Sequence, residues 1–115
     1  MKIVIFGSRT INNMRELEKA IQDAGYPITI VISGGARGVD TLAHTWATKN
    51  ALPSYVLTAN WNMYGKRAGI LRNNEMASLA DAGIAVWDGA SRGTAHMISR
   101  MEAMGKPVYK HEVRN

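Results

Sequence analysis

Five short runs rich in isoleucine, valine and small residues punctuate this chain, and all but the last lead through a glycine-bearing turn or loop into a segment of helical period. The runs are Ile3 to Phe6, Ile28 to Ile32, Ser54 to Thr58, Ala82 to Trp87 and Val108 to Lys110. Such alternation builds βα units, so the expected fold class is α/β with a parallel sheet of about five strands. Most of the runs are continuously apolar rather than alternating, which predicts strands covered on both faces by helices.

The helical stripes between the runs are legible. Met14, Leu17, Ile21 and Ala24 recur at three- and four-residue spacing, with Asn13 and Glu16 placed as a capping pair and Gly25 and Pro27 as a stop. Val39, Leu42, Ala43, Trp46 and Ala47 form a second stripe, Met76, Leu79 and Ala80 a third, and Met97, Ile98, Met101 and Met104 a fourth that ends at Gly105. The methionines share a helical face with Ile98 and are read as core packing.

Composition narrows the classes. At 115 residues, 46% hydrophobic and without linker or low-complexity stretch, the expectation is one domain over residues 1–115. No apolar run is long enough for a signal segment or a membrane span. The absence of cysteine excludes disulfides, thiolate metal sites and cysteine nucleophiles, and fits a cytoplasmic protein. A net charge of +5 suggests an anionic partner without naming it.

In an open parallel sheet, ligands bind at the carboxyl ends of the strands, where helix N-termini also point. The loops expected there read Gly7-Ser8-Arg9-Thr10, Ser33-Gly34-Gly35-Ala36-Arg37-Gly38-Val39-Asp40, Asn60 to Arg67, and Asp88-Gly89-Ala90-Ser91-Arg92-Gly93-Thr94. Glycine lets the backbone approach a ligand, helix-start N–H groups donate to it, and arginine adds charge; a phosphate is the natural occupant. Running the third stripe back toward this edge reaches Asn73, Arg72 and Gly69, and running the fourth back reaches Thr94, so polar groups are expected on the buried face at the ligand end. Arg72 pairing with Glu75 is the plain structural alternative. Trp61, Tyr64 and Trp87 are candidates to stack a base, with a core role equally open for Trp87. Lys66 and Arg67 add cations to the same edge.

Several chemistries are disfavoured. Gly7-Ser8-Arg9 is not a dinucleotide fingerprint, no Gly-Lys-Ser/Thr phosphate loop is present, and no serine sits in a nucleophile elbow. His44, His96 and His111 are too scattered for a metal set or a triad, so neither metal nor cofactor is expected. His44 lies four residues after Asp40, and a local hydrogen bond between them is the expected role.

Taken together, Gly7-Ser8-Arg9, the Ser33-to-Asp40 segment, Trp61 to Arg72 leading into Asn73, Asn74, Glu75 and Met76, and Asp88 to Thr94 resemble the SLOG superfamily, within it the YspA-like, cpYpsA-related branch. The resemblance implies a Rossmann-like three-layer sandwich that binds a nucleotide or nucleotide-derived ligand. It points to Gly7, Ser8, Arg9, Ser33, Gly34, Gly35, Arg37, Gly38, Asp40, Arg72, Asn73, Asp88, Gly89, Ser91, Arg92, Gly93 and Thr94 as ligand-binding residues. Relatives include cytokinin-activating phosphoribohydrolases and the single-stranded-DNA-binding DNA-processing protein A family, and many dimerise. Three functions therefore stay open: nucleotide binding, N-glycosidic hydrolysis of a nucleoside monophosphate, and single-stranded DNA binding; a homodimer is a possible assembly. The catalytic glutamate of the phosphoribohydrolases falls at Met97 and its partner arginine at Arg72. If the chain is an enzyme, Asp40, Glu75 or Asp88 must supply the carboxylate.

Overall fold

The computed structural model describes residues 1–114. In chain order the elements are β1 (Lys2–Gly7), α1 (Met14–Ala24), β2 (Ile30–Ser33), α2 (Val39–Lys49), β3 (Ser54–Val56), α3 (Trp61–Tyr64), a 3-10 turn (Gly65–Arg67), α4 (Ala68–Leu79), β4 (Ala82–Trp87), α5 (Arg92–Ala103) and β5 (Val108–Glu112). All strand pairs are parallel and the sheet order is β3-β2-β1-β4-β5. The chain thus works outward from β1 to β3, then returns to the other side of β1 for β4, which puts the reversal of strand order between β1 and β4.

Period-two alternation along β1 sorts its side chains onto two faces. Ile3 and Ile5 join Val31, Ile84 and Val86 in a core closed by Leu17, Ala20, Val39, Ala43 and Ala47 of α1 and α2. Val4 and Phe6 join Ile32 and Ala85 in a second core closed by Met76, Ala77, Ala80, Met97, Ile98 and Met101 of α4 and α5. The result is the expected three-layer α/β sandwich, with the methionines in the core and Trp46 and Trp87 packed partly buried against its two halves.

The structure corrects several local expectations. Coverage on both faces fails at the edge strand β3, where Tyr55 and Val56 stay exposed. Leu79 is 42% exposed: the buried face of α4 runs through Asn73, Met76, Ala77 and Ala80, one position away from it. Asn13 does cap α1, accepting from Arg15 N at 3.0 Å, but Glu16 does not return the bond. Its carboxylate instead lies 2.6 Å from His111 Nε2 on β5, tying the first helix to the last strand. Residues 61–67, read as loop, form α3 and the 3-10 turn, started by Asn60 Oδ1 accepting from Met63 N at 3.1 Å. Among the described residues no helix is long and apolar enough to cross a membrane.

Candidate functional site

A cavity of about 430 Å³ opens at the carboxyl edge of the sheet, where the strand order reverses. Its walls come from the loops after β1, β2 and β4 and from the helices α2, α4 and α5. The β1 end contributes Phe6, Gly7, Ser8, Arg9 and Thr10; the β2–α2 connection contributes Ala36 and Arg37, and the first turn of α2 Asp40; α4 contributes Arg72, Asn73 and Met76; and the β4–α5 connection contributes Asp88 and Ser91, with Arg92, Gly93, Thr94 and Met97 following from α5. Four arginines face two aspartates.

The loop after β1 is held by hydrogen bonds rather than by packing. Ser8 N donates to Val86 O at 3.1 Å, Ser8 O accepts from Val39 N at 3.3 Å, and Ser8 Oγ accepts from Asp88 N at 3.0 Å. The ends of β1 and β4 and the start of α2 are therefore fixed to one residue. Gly38 has φ +78°, and a Cβ there would collide with the Ser8 and Arg9 backbone, so only glycine lets the β2–α2 loop lie against the β1 loop.

On the β4–α5 side, Asp88 Oδ1 accepts from Ala90 N and Ser91 N at 2.8 and 2.9 Å. These N–H groups hold the Asp88 carboxyl below the usual carboxylate range. Ser91 then caps α5, its hydroxyl accepting from Thr94 N and from Thr94 Oγ1. The cap leaves the N–H groups of Arg92 and Gly93 as donors without an intrahelical partner, at the positive end of the helix dipole.

Across the cavity, Arg72 and Asp40 meet at Gly34. Arg72 Nη1 donates to Gly34 O at 2.6 Å and Nε donates to Asn73 Oδ1 at 3.1 Å. A side chain at Gly34 would run into the Arg72 guanidinium and the Asp40 carboxylate. The donation from Nε fixes which end of the Asn73 amide is oxygen, so Nδ2 donates to Gly93 O at 3.5 Å and to His96 Nδ1 at 3.1 Å. One chain of bonds thus crosses from the β2 loop through α4 to the start of α5.

Asp40 is only 7% exposed, and its Oδ2 accepts from Ala36 N at 3.2 Å. Burial pushes its carboxyl above the usual range, against the pull of Ala36 N–H, Arg72 and Arg9. Burial likewise lowers Arg72, opposed by Asp40, and it stays a cation at any physiological pH.

Of the residues singled out from sequence, Ser33, Gly34, Gly35, Gly38 and Gly89 do not line this cavity. Gly34 and Gly38 shape its walls from behind; Ser33 and Gly35 line a smaller cavity beside it, which Asp40 shares. Gly89 turns at φ +82° against Glu112. Asn73 and Thr94 are buried against the cavity, 7% and 3% exposed, polar residues on the buried faces of their helices as the stripes predicted. Glu75 is exposed on α4 and outside the cavity, and Arg72 bonds to Gly34 rather than to it. His44 Nδ1 pairs with Ser54 Oγ at 3.0 Å instead of with Asp40. Trp61, Tyr64, Lys66 and Arg67 are exposed and lie outside the cavity. Phe6, Thr10, Ala36 and Met76 line it without having been singled out for it; Phe6 ends a strand run and Met76 sits on the third stripe, the signals that place them at this edge.

Comparison with known proteins agrees with this architecture. Residues 1–64 match the model of the YspA, cpYpsA-related SLOG family. The Gene 61 protein of Mycobacterium phage D29 is 34% identical over 117 residues, covering 93% of each chain. The X-ray structure of DNA processing protein A (DprA) from Streptococcus pneumoniae shares the fold, with a TM-score of 0.77 at 21% identity. That match takes in 95% of this chain and 49% of the other, so the chain spans about half of the DprA chain. With the family model matched over more than half of its length and a relative at 34% identity across nearly all of it, the chain belongs to the YspA, cpYpsA-related SLOG family.

Proposed function

We propose that the chain binds a nucleotide or nucleotide-derived ligand at the carboxyl edge of its sheet, with the phosphate at the first turn of α5. The observation that carries this reading is the cavity where strand order reverses, in which Arg9, Arg37, Arg72 and Arg92 outnumber Asp40 and Asp88. Its volume of about 430 Å³ is that of a small-molecule site rather than a polymer groove. Orphan N–H donors of Arg92 and Gly93 and the guanidinium of Arg92 suit a compact dianion, and a charge-assisted bond contributes about 1.5–3 kcal/mol.

Two substitutions test it by calorimetric titration with nucleoside monophosphates. Arg92→Ala weakens binding roughly 10- to 100-fold, the equivalent of one charge-assisted bond. Gly93→Asp fits sterically, since nothing lies within 4 Å of a Cβ there, yet sets a carboxylate where the phosphate belongs. It abolishes binding while the helix start gains about 0.3–1 kcal/mol from the dipole. Wild-type affinity in both variants rejects the site. A shallow salt dependence is expected for a mononucleotide; a steep one would turn the reading toward single-stranded nucleic acid.

A second reading, N-glycosidic hydrolysis, draws on Asp40, a protonatable carboxyl in the cavity, whereas Asp88 is occupied by two N–H groups and Met97 carries no acid. Release of base and ribose 5-phosphate from nucleoside monophosphates, lost in Asp40→Asn, is its test.

A further inference from the structure

Of the nine large apolar or aromatic side chains that the fold leaves exposed, eight fall between Tyr55 and Leu79, on β3, α3 and α4. Val56, in register with Ser33, stands on one face of the sheet; Tyr55, in register with Ile32, stands on the face that α4 and α5 cover. On that face α4 packs mainly against α5 and β1, and Tyr55 stays 54% exposed at its edge. α3 buries none of its residues yet carries Trp61, Met63 and Tyr64. A Cβ at Gly69 would meet the Trp61 ring at 3.3 Å, which places that ring against the first turn of α4. α4 continues the surface with Ile70, Leu71 and Leu79. Together, the seven residues other than Val56 expose on the order of 700 Å², above the roughly 300–600 Å² of a monomer's largest apolar patch and near the roughly 800 Å² each partner brings to a stable interface.

The helix itself indicates what covers it. Arg67, Leu71, Glu75 and Leu79 recur at four-residue spacing and are all exposed, a ridge of the kind by which two helices interdigitate. Among the described residues neither Arg67 nor Glu75 has an ion-pair partner. The ridge is self-complementary. A second copy running antiparallel about a twofold axis at Leu71 sets Leu71 against its counterpart. It also sets Arg67 of each copy opposite Glu75 of the other, because both lie four residues from the axis, and carries Leu79 toward the α3 end of the other copy. A nucleic-acid strand fits this face less well: the rings are there to stack on, but Glu75 in the middle of the ridge repels phosphate and only Lys66 and Arg67 attract it. The opposite face of α4 supplies Asn73 and Met76 to the cavity wall, so the exposed ridge is no part of that site.

We propose that the exposed face of α3 and α4 joins two copies of this chain in an antiparallel, twofold-symmetric dimer centred on Leu71, with reciprocal ion pairs between Arg67 and Glu75. The dimer does not rest on the reading of the cavity given above.

Sedimentation equilibrium of the full chain from low to high micromolar concentration tests it. The wild type sediments at the mass of two chains. Leu71→Asp, which sets two carboxylates together at the axis, sediments as one chain while circular dichroism keeps the wild-type helix content. Arg67→Glu and Glu75→Arg each oppose like charges and raise the dissociation constant roughly tenfold, and the double variant Arg67→Glu/Glu75→Arg restores it to near the wild-type value. Because both charged positions are exposed, this exchange reads the pairing even if Leu71→Asp fails to fold. The proposal is overturned by a wild type that stays monomeric throughout, by a dimer that persists in folded Leu71→Asp, or by a double charge variant as weak as the singles. It is equally overturned if a monomeric wild type binds fluorescent oligothymidylate and Trp61→Ala loses that binding, which makes the face a nucleic-acid platform.

Discussion

On the face covered by α1 and α2 the core is aliphatic throughout, Ile3, Ile5, Val31, Ile84 and Val86 against Leu17, Val39, Ala43 and Ala47. The face covered by α4 and α5 is packed with thioethers instead, and toward the carboxyl edge it changes to Asn73, Arg72 and Thr94, with Met76 and Met97 reaching the cavity wall. The first face is close-packed and carries stability; the second gives up apolar contact in the first turns of its helices and places hydrogen-bonding groups there. From α1 and α2 only Asp40 crosses into the cavity. The cavity thus opens where the molecule gives up core, the kind of exchange by which proteins make room for a site.

The largest effect that should separate the two faces is Leu17→Ala. Leu17 is fully buried, and its truncation costs about 2–5 kcal/mol of unfolding free energy in urea titration. Phosphate affinity of the folded fraction stays at the wild-type value; a parallel loss of binding would erase the distinction between faces. Asn73→Ala comes next. It strips Arg72 Nε, Gly93 O and His96 Nδ1 of their common partner, costs about 1–3 kcal/mol, and unlike Leu17→Ala also weakens nucleotide binding, because the Arg72 guanidinium loses its orientation.

Asp40→Asn sharpens the comparison from the other side. The amide oxygen still accepts from Ala36 N, while one negative charge leaves the cavity, so inorganic phosphate binds roughly fivefold more tightly, on the order of 1 kcal/mol. Because burial raises the Asp40 pKa, its cost to the wild type is full above that raised value and fades as pH falls toward the ordinary carboxylate range. The stability gain of the variant over wild type therefore shrinks on acidification. Asp88 has the opposite sign and the smallest effect: its lowered pKa gives stability that is present above the ordinary carboxylate value and lost as pH drops through the folded one. Thermal melting of Asp88→Asn against wild type checks this, with the two curves converging at strongly acid pH.

Central elements were the most legible in the sequence because their pattern is dictated by burial alone. The span Ala82 to Trp87 matches β4 to the residue, and Ile3 to Phe6 falls one residue short of β1 at each end. At the sheet edges that pressure disappears, and Ser54 to Thr58 and Val108 to Lys110 drift from β3 (Ser54–Val56) and β5 (Val108–Glu112), while Ile28 to Ile32 starts two residues before the interior strand β2 (Ile30–Ser33) and ends one short of it. No residue of α3 is buried, so no apolar stripe announces it; the capping Asn60 was the available signal. In the cavity, Asn73 and Thr94 could be found by running a helical stripe backwards, since a polar residue on a buried face is visible in one dimension. The bond from Arg72 to Gly34 O and the unpaired hydroxyl of Ser33 depend on segments brought together only by the tertiary fold, and nothing local encodes them.

The order of strands also bears on how the chain matures during synthesis. β1 is the central strand, yet its partner on one side, β2, follows after a single helix, whereas β4 emerges only after α2, β3, α3 and α4 have followed. Through that interval one edge of β1 is bare and the Val4 and Phe6 face has no α5 to cover it. The nascent chain therefore carries a temporary hydrophobic edge of the kind that chaperones recognise and that pairs with stray strands. Completion of α5 and β4 removes that hazard at the same moment as it assembles the cavity.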